Sequence, residues 1–317
     1  MTRDGPFGRS ICSTSRTIVA LLVLAFGWPG DVLARVEIVL GDNAPAYAEA
    51  RAELAAQLAG IELIVSPAAS LASAAKRANP PEVVVALGSE ALRTASRMRE
   101  DAPIVTLLIP RESFERLRDE ARATGHHRPV TGVYLDQPWS RQIALVRLIA
   151  PERRRIGVLS TSSFVPQLSV LERIAKEQKA TIIHELVESP QALHVDLMRI
   201  IGGADVLLAV PDARVYSAST IQHILLTTFR ARLPLIGFSP AYVQAGALAA
   251  VYSTPTQMAR EAAAMVRRLL AGQAPPGGEY PRAFTVTVNR AVARSLDLAV
   301  DEDAALVTQL EQRERER

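Results

Sequence analysis

VVVALGSEALRTASRMREDAPIVTLLI, residues 83–109, decides the fold. Val83–Leu87 is apolar throughout and β-branched at its first three positions, and Gly88-Ser89 closes it. Residues 90–99 carry helix formers, and Ile104–Ile109 is a second apolar run. Strands this uniformly apolar have both sheet faces covered. Two of them joined by a helix form a βαβ unit, whose crossover is right-handed.

The same alternation runs outward in both directions. Upstream, strands 36–40 and 61–65 enclose a helix at 47–59, and a second helix is expected at 71–78. Downstream, strand 130–135 leads through Asp136-Gln137-Pro138 into a helix at 140–149, and the series restarts. It continues as strand 156–160, helix 166–178, strand 181–187, helix 191–201, strand 206–210, helix 219–230 and strand 235–238. Two such series imply two doubly wound α/β lobes of parallel sheet joined by a hinge. The carboxyl part is less regular. It reads as strand 247–252, a helix at 256–270 opened by Thr254-Pro255, a Gly/Pro-rich loop at 273–281, and an alternating edge strand at 283–288. Residues 302–317 are charged on most faces and read as a frayed tail.

Composition agrees with two covered sheets. The 317 residues are 49% hydrophobic but only 5% aromatic, so the core is built from aliphatic side chains. A net charge of +3 on a chain this long is close to neutral. No Lys/Arg stripe is interleaved with aromatics, which argues against a nucleic-acid partner. The run Arg153-Arg154-Arg155 sits just ahead of a strand and reads as a solvated strand start.

Residues 1–34 read as a secretory signal peptide. Arg3, Arg9 and Arg16 form a positive n-region, residues 17–28 (TIVALLVLAFGW) an apolar core, and Val32-Leu33-Ala34 a cleavage site. The location this implies is the periplasm. The single cysteine, Cys12, precedes the apolar core, so the exported chain has no thiol for a disulfide or a metal.

Residues 246–298 resemble the carboxyl third of bacterial ABC-transporter substrate-binding proteins. The matching pieces are Gly246-Ala247-Leu248-Ala249, a strand, a helix ending Leu269-Leu270-Ala271-Gly272, a Pro-containing loop, an edge strand ending Val288-Asn289, and Ala291 through Leu296 before Leu298. The resemblance extends upstream over the paired lobes. It implies the type 1 periplasmic-binding-protein fold, crossed three times between lobes, here near Asp136, Tyr242 and Gly278. Lobe one would be 35–135 plus 243–277, lobe two 136–242 plus 278–300, and 301–317 a charged tail. It also implies a small-molecule ligand, amino-acid-like in some relatives, and an ABC permease as partner of a monomeric receptor.

Open α/β sheets bind ligands beyond the carboxyl ends of their strands, at helix N-termini. The candidates there are Asp42, Asn43 and Ser89 in lobe one, and Thr161, Ser162, Ser163, Asp212 and Ser239 in lobe two. Ser89 could donate to a ligand carboxylate or simply begin a helix, and Asp212 could take an amine or serve as a turn residue. Tyr134 and Trp139 flank the first crossing, as hinge packing or as stacking surfaces. His126-His127, His184, His194 and His223 do not fall at metal-ligand spacing, and no dinucleotide, Walker, HExxH or GxSxG motif occurs, so no cofactor and no catalysis are expected. A transport receptor leads; a periplasmic sensor docking on a signalling kinase and an α/β enzyme stand as the other readings.

Overall fold

The computed structural model describes residues 34–71, 79–98, 101–125, 128–274 and 277–316. The signal-peptide region with Cys12, most of the helix expected at 71–78, and His126-His127 lie outside the described residues.

The first sheet is built as the sequence reads. β1 (Arg35–Leu40), α1 (Pro45–Gln57), β2 (Glu62–Pro67) and α2 (Ala68–Leu71) lead into β3 (Val83–Leu87), α3 (Ser89–Arg97) and β4 (Ile104–Ile109). A helix the sequence reading omitted, α4 (Arg111–Ala123), connects β4 to β5 (Val130–Tyr134). It buries Phe114, Leu117 and Ala121, a spacing of three and four hidden among its charges. The second series follows as α5 (Trp139–Ile149), β6 (Arg155–Ser160), α6 (Val165–Glu177), β7 (Thr181–Leu186), α7 (Leu193–Gly203), β8 (Val206–Leu208), α8 (Ile221–Arg230) and β9 (Leu235–Gly237). Then come α9 (Pro240–Ala245), β10 (Ala249–Tyr252), α10 (Pro255–Leu270), β11 (Gly278–Glu279), β12 (Thr285–Val288), α11 (Arg290–Ser295) and α12 (Asp303–Arg315).

The strands form two six-stranded sheets, ordered β11-β5-β4-β3-β1-β2 and β12-β10-β9-β8-β6-β7. All pairings are parallel except that of β12 with β10. One face of the first sheet packs Leu54 and Leu58 together with Met258 and Val266 of α10. The other packs Leu92, Phe114 and Leu117. The second sheet has its own aliphatic core, from Ile143 through Leu310. Each lobe therefore buries its own apolar surface.

The sheets correct the expected crossings. Ala249 and Ala250 of β10 pair with Ile236 and Gly237 of β9, so residues 243–252 belong to the second lobe, and the chain crosses at Ser253-Thr254 rather than near Tyr242. The six-residue α9 returns the chain to its own sheet, and a break at Tyr242 would leave the edge strand β12 without its partner β10. Helix α10 then packs on the first lobe, and β11 pairs with β5. The third crossing follows β11, at 280–284. The tail is corrected too. Residues 303–315 are helical, with Glu302 at the N-cap, and bury Leu306 and Leu310 in the second core. Only Leu306 and Leu310 are buried, with Val307 packed beside them, too few to stand out in a charged run.

Arg153-Arg154-Arg155 is held by Asp205 ahead of β8. The Asp205 carboxylate accepts from the backbone N–H of Arg154 (3.1 Å) and Arg155 (2.9 Å) and from the Arg155 guanidinium (2.7 Å).

Candidate functional site

The carboxyl ends of both sheets converge on a cleft beside the first crossing. Two cavities of about 470 and 460 Å³ open there, and they share Pro110, Asp136, Gln137, Trp139 and Pro211. Both take walls from both lobes. The first runs from α4 and Tyr280 to Ser163, Phe164 and Asp212. The second runs from Glu49 of α1 and Leu108 to Phe238, Ser239 and Tyr252. The β4–β5 register shifts between Thr106 and Ile109, and Leu108 sits in the left-handed region at φ 61°. A bulge of this kind re-aims a side chain, here into the cavity wall.

A polar hub knits the three crossings together. Gln137 donates to Ser253 Oγ (2.9 Å), and Ser253 donates to the Ala283 carbonyl (2.6 Å). Arg141, 5% exposed, donates to Gln137 Oε1 (2.6 Å) and to the Pro281 carbonyl (2.9 Å), and lies 4.0 Å over the Phe284 ring. Glu314 of α12 grips the same guanidinium at 2.6 and 2.8 Å. The tail helix is thus anchored at the hinge. Beside the hub, the Asp136 carboxylate accepts the backbone N–H of Arg111, the first residue of α4. Burial pushes the Asp136 carboxyl above the ordinary aspartate value, and the N–H bonds oppose that only in part.

The expected site residues separate. Ser163 and Asp212 line the first cavity and Ser239 the second. Asp42, Asn43, Ser89, Thr161 and Ser162 line neither. Asp42 is exposed and accepts from the Ala44 N–H at 2.7 Å, a turn ahead of α1. Ser89 is the first residue of α3, and Gly88 fills the cap position without a side chain. Gly88 is required there: its φ is +91°, and a Cβ would lie 2.1 Å from the Tyr47 hydroxyl. Asp212 is already satisfied by its own lobe. It accepts from the Thr161 N–H (2.7 Å), the Thr161 hydroxyl (2.6 Å) and the Arg214 N–H (3.1 Å). Burial raises its carboxyl, but these bonds and the Arg214 charge outweigh that and hold it below the ordinary value. Thr161, Ser163 and Asp212 therefore form one brace rather than three separate ligand groups.

Tyr134 is packing: it lies edge-on to Phe114 and Tyr280, 5.3 Å from each. Trp139 does both jobs, edge-on to Phe164 at 5.5 Å while walling both cavities. Arg111 lies in the Pro110-Arg111 loop, one of the strand-end loops where a ligand is expected, and lines the first cavity; Asp136, Gln142, Phe238 and Tyr252 are cavity residues that the reading of strand ends did not single out. Asp136 lay in the recognised crossing, which was the available signal. Gln142 and Tyr252 lie within a helix and a strand, where sequence alone reads structure. His194 and His223 meet at the surface, Nδ1 to Nε2 at 3.2 Å, and among the described residues no group of three or more potential metal ligands occurs.

A family model described as ABC transporter substrate binding protein matches residues 66–310. The chain belongs to that family. No curated protein sequence matches the binding protein significantly. Among solved structures, it is similar to a ligand-free, open substrate-binding protein with adhesive properties from Clostridium difficile. That likeness has a TM-score of 0.68 and 16% identity over 85% of this chain and 96% of that one. It is also similar to an ABC domain in complex with L-Trp from Streptococcus pneumonia (TM-score 0.58, 18% identity, 87% and 98% covered). A conserved domain protein from Vibrio cholerae has a TM-score of 0.58 and 20% identity over 87% and 97%. At these identities the likeness establishes a shared fold: two α/β lobes of the type 1 periplasmic-binding architecture.

Proposed function

We propose that this binding protein is the solute receptor of an ABC importer, exported to the periplasm, and that it holds a small polar solute between its lobes without altering it chemically. The observation that carries the reading is the paired cavity beside the crossings, with walls from both lobes. A solute touching both walls favours the closed arrangement by its differential contacts there, and closure about the crossings presents a new surface to the permease. No helix among the described residues is long and apolar enough to cross a membrane, which fits a receptor that hands its solute to a separate permease.

The test is a thermal-shift panel of amines, amino acids, carboxylates, sugars and nucleosides on protein unfolded and refolded to strip carried-over solute. A solute at about 100 times its Kd adds roughly 2.7 kcal/mol. One class should raise Tm and reduce the radius of gyration in small-angle scattering. A shift in neither for any class defeats the receptor reading.

A further inference from the structure

The charge lining the cleft is one-sided. Five carboxylates (Glu49, Glu112, Glu115, Asp136 and Asp212) face one guanidinium, Arg111, and neither cavity is lined by lysine or histidine. Arg111 is already engaged, by Glu115 at 2.8 Å and by the Tyr280 hydroxyl at 3.0 Å. Asp212 is engaged by Thr161 and Arg214. Arg111 is thus the one side-chain cation lining either cavity and is partly engaged, whereas Asp136, common to both cavities, has no side-chain cation bonded to it among the described residues.

The second cavity adds two further features. Its walls include Trp139, Phe238 and Tyr252, and its only charged residues are Glu49 and Asp136. Gln142, 3% exposed, lines it as well. The Gln142 amide nitrogen donates to the Gln137 carbonyl at 3.2 Å, which fixes the amide's orientation, and its Oε1 has no hydrogen-bond partner. A buried acceptor left unpaired is costly and calls for a donor. A carboxylate, aromatic faces and a buried amide acceptor without a partner beside them, with no competing cation, are groups that recognise an ammonium bearing N–H bonds.

We propose that this half of the cleft takes a small protonated amine, with Asp136 and Gln142 Oε1 accepting from its N–H groups and Trp139 and Phe238 enclosing its carbon skeleton. The proposal deepens the receptor reading and rests on it. A net-cationic solute is favoured over a zwitterion or an anion, because the two cavities carry five carboxylates against one guanidinium and the second carries no cation at all.

Isothermal titration of the refolded protein at pH 7.5 tests this with two matched series. One is 2-phenylethylamine, 2-phenylethanol, 3-phenylpropanoate and phenylalanine; the other is putrescine, butane-1,4-diol and succinate. In at least one series the amine should bind about tenfold or more tighter than its uncharged and anionic analogues. Asp136→Asn keeps an oxygen for the Arg111 N–H, and Gln142→Met keeps apolar volume without the acceptor. Each should weaken amine binding by about tenfold or more. If Asp136→Asn does not fold, Gln142→Met alone decides. Tighter binding of an alcohol, carboxylate or amino acid overturns the amine assignment while leaving the receptor intact. Equal amine affinity in both variants overturns the site. Absence of binding throughout both series overturns the assignment, and only an unmoved Tm together with an unmoved radius of gyration across the broad panel removes the receptor as well.

Discussion

Two aspartates on either side of the cleft show how far residue type alone falls short. Asp136 and Asp212 both follow strands and both line the first cavity, yet their surroundings push them in opposite directions. Asp212 is held low, so its contribution to stability is present above the unfolded aspartate value and is lost as pH falls through its folded value. Asp136 is raised, so its contribution is present below the unfolded value and is lost as pH rises through its higher folded value. Denaturant unfolding of Asp136→Asn from pH 4 to 7 should show less loss of stability on going to neutral pH than the parent protein. Asp212→Ala leaves the buried Thr161 N–H and hydroxyl without their acceptor. It should cost about 1–3 kcal/mol at pH 7 and less at pH 3, read from the same unfolding curves.

Among the elements, α12 carries the clearest consequence. Its buried Leu306 and Leu310 fasten it to the second lobe, and Glu314 grips Arg141, which in turn holds Gln137 and Pro281. A chain ending at residue 302 should lose roughly 2 kcal/mol for each of the two leucines and unfold at a visibly lower Tm. Glu314→Ala removes the carboxylate but leaves the helix. Because Glu314 is partly exposed, its loss should cost about 1–2 kcal/mol, less than for a fully buried pair. Helices α4 and α12 were hard to read in sequence for a shared reason. Each buries a few apolar positions within a strongly charged run, and the periodicity is carried by three residues or fewer. The strands were legible because burial on both faces makes every position apolar.

At the scale of the molecule, the three crossings act together because Gln137, Ser253 and Arg141 join them by side chains. Ser253→Val should break that chain at its centre, leave Gln137 short of a partner, and lower stability by about 1–3 kcal/mol in unfolding experiments. If closure turns on these crossings, it should also alter the compaction that a saturating solute produces in small-angle scattering. Sequence by itself determined the two doubly wound lobes, because the alternation of apolar strands with helices is a local pattern that permits few other packings. It also pointed to the edge where the two cavities open, since loops at strand carboxyl ends follow from the topology. It could not assign residues 243–252 to a lobe, because a strand's own pattern does not name the strand it pairs with. Nor could it tell which hydroxyls and carboxylates remain open to a solute. Thr161 and Asp212 lie 51 residues apart and satisfy each other, while the buried Gln142 Oε1 is left without a partner and Asp136 without a side-chain cation bonded to it among the described residues. Only the tertiary structure decides that, because a polar group's availability depends on which distant partners folding brings within reach.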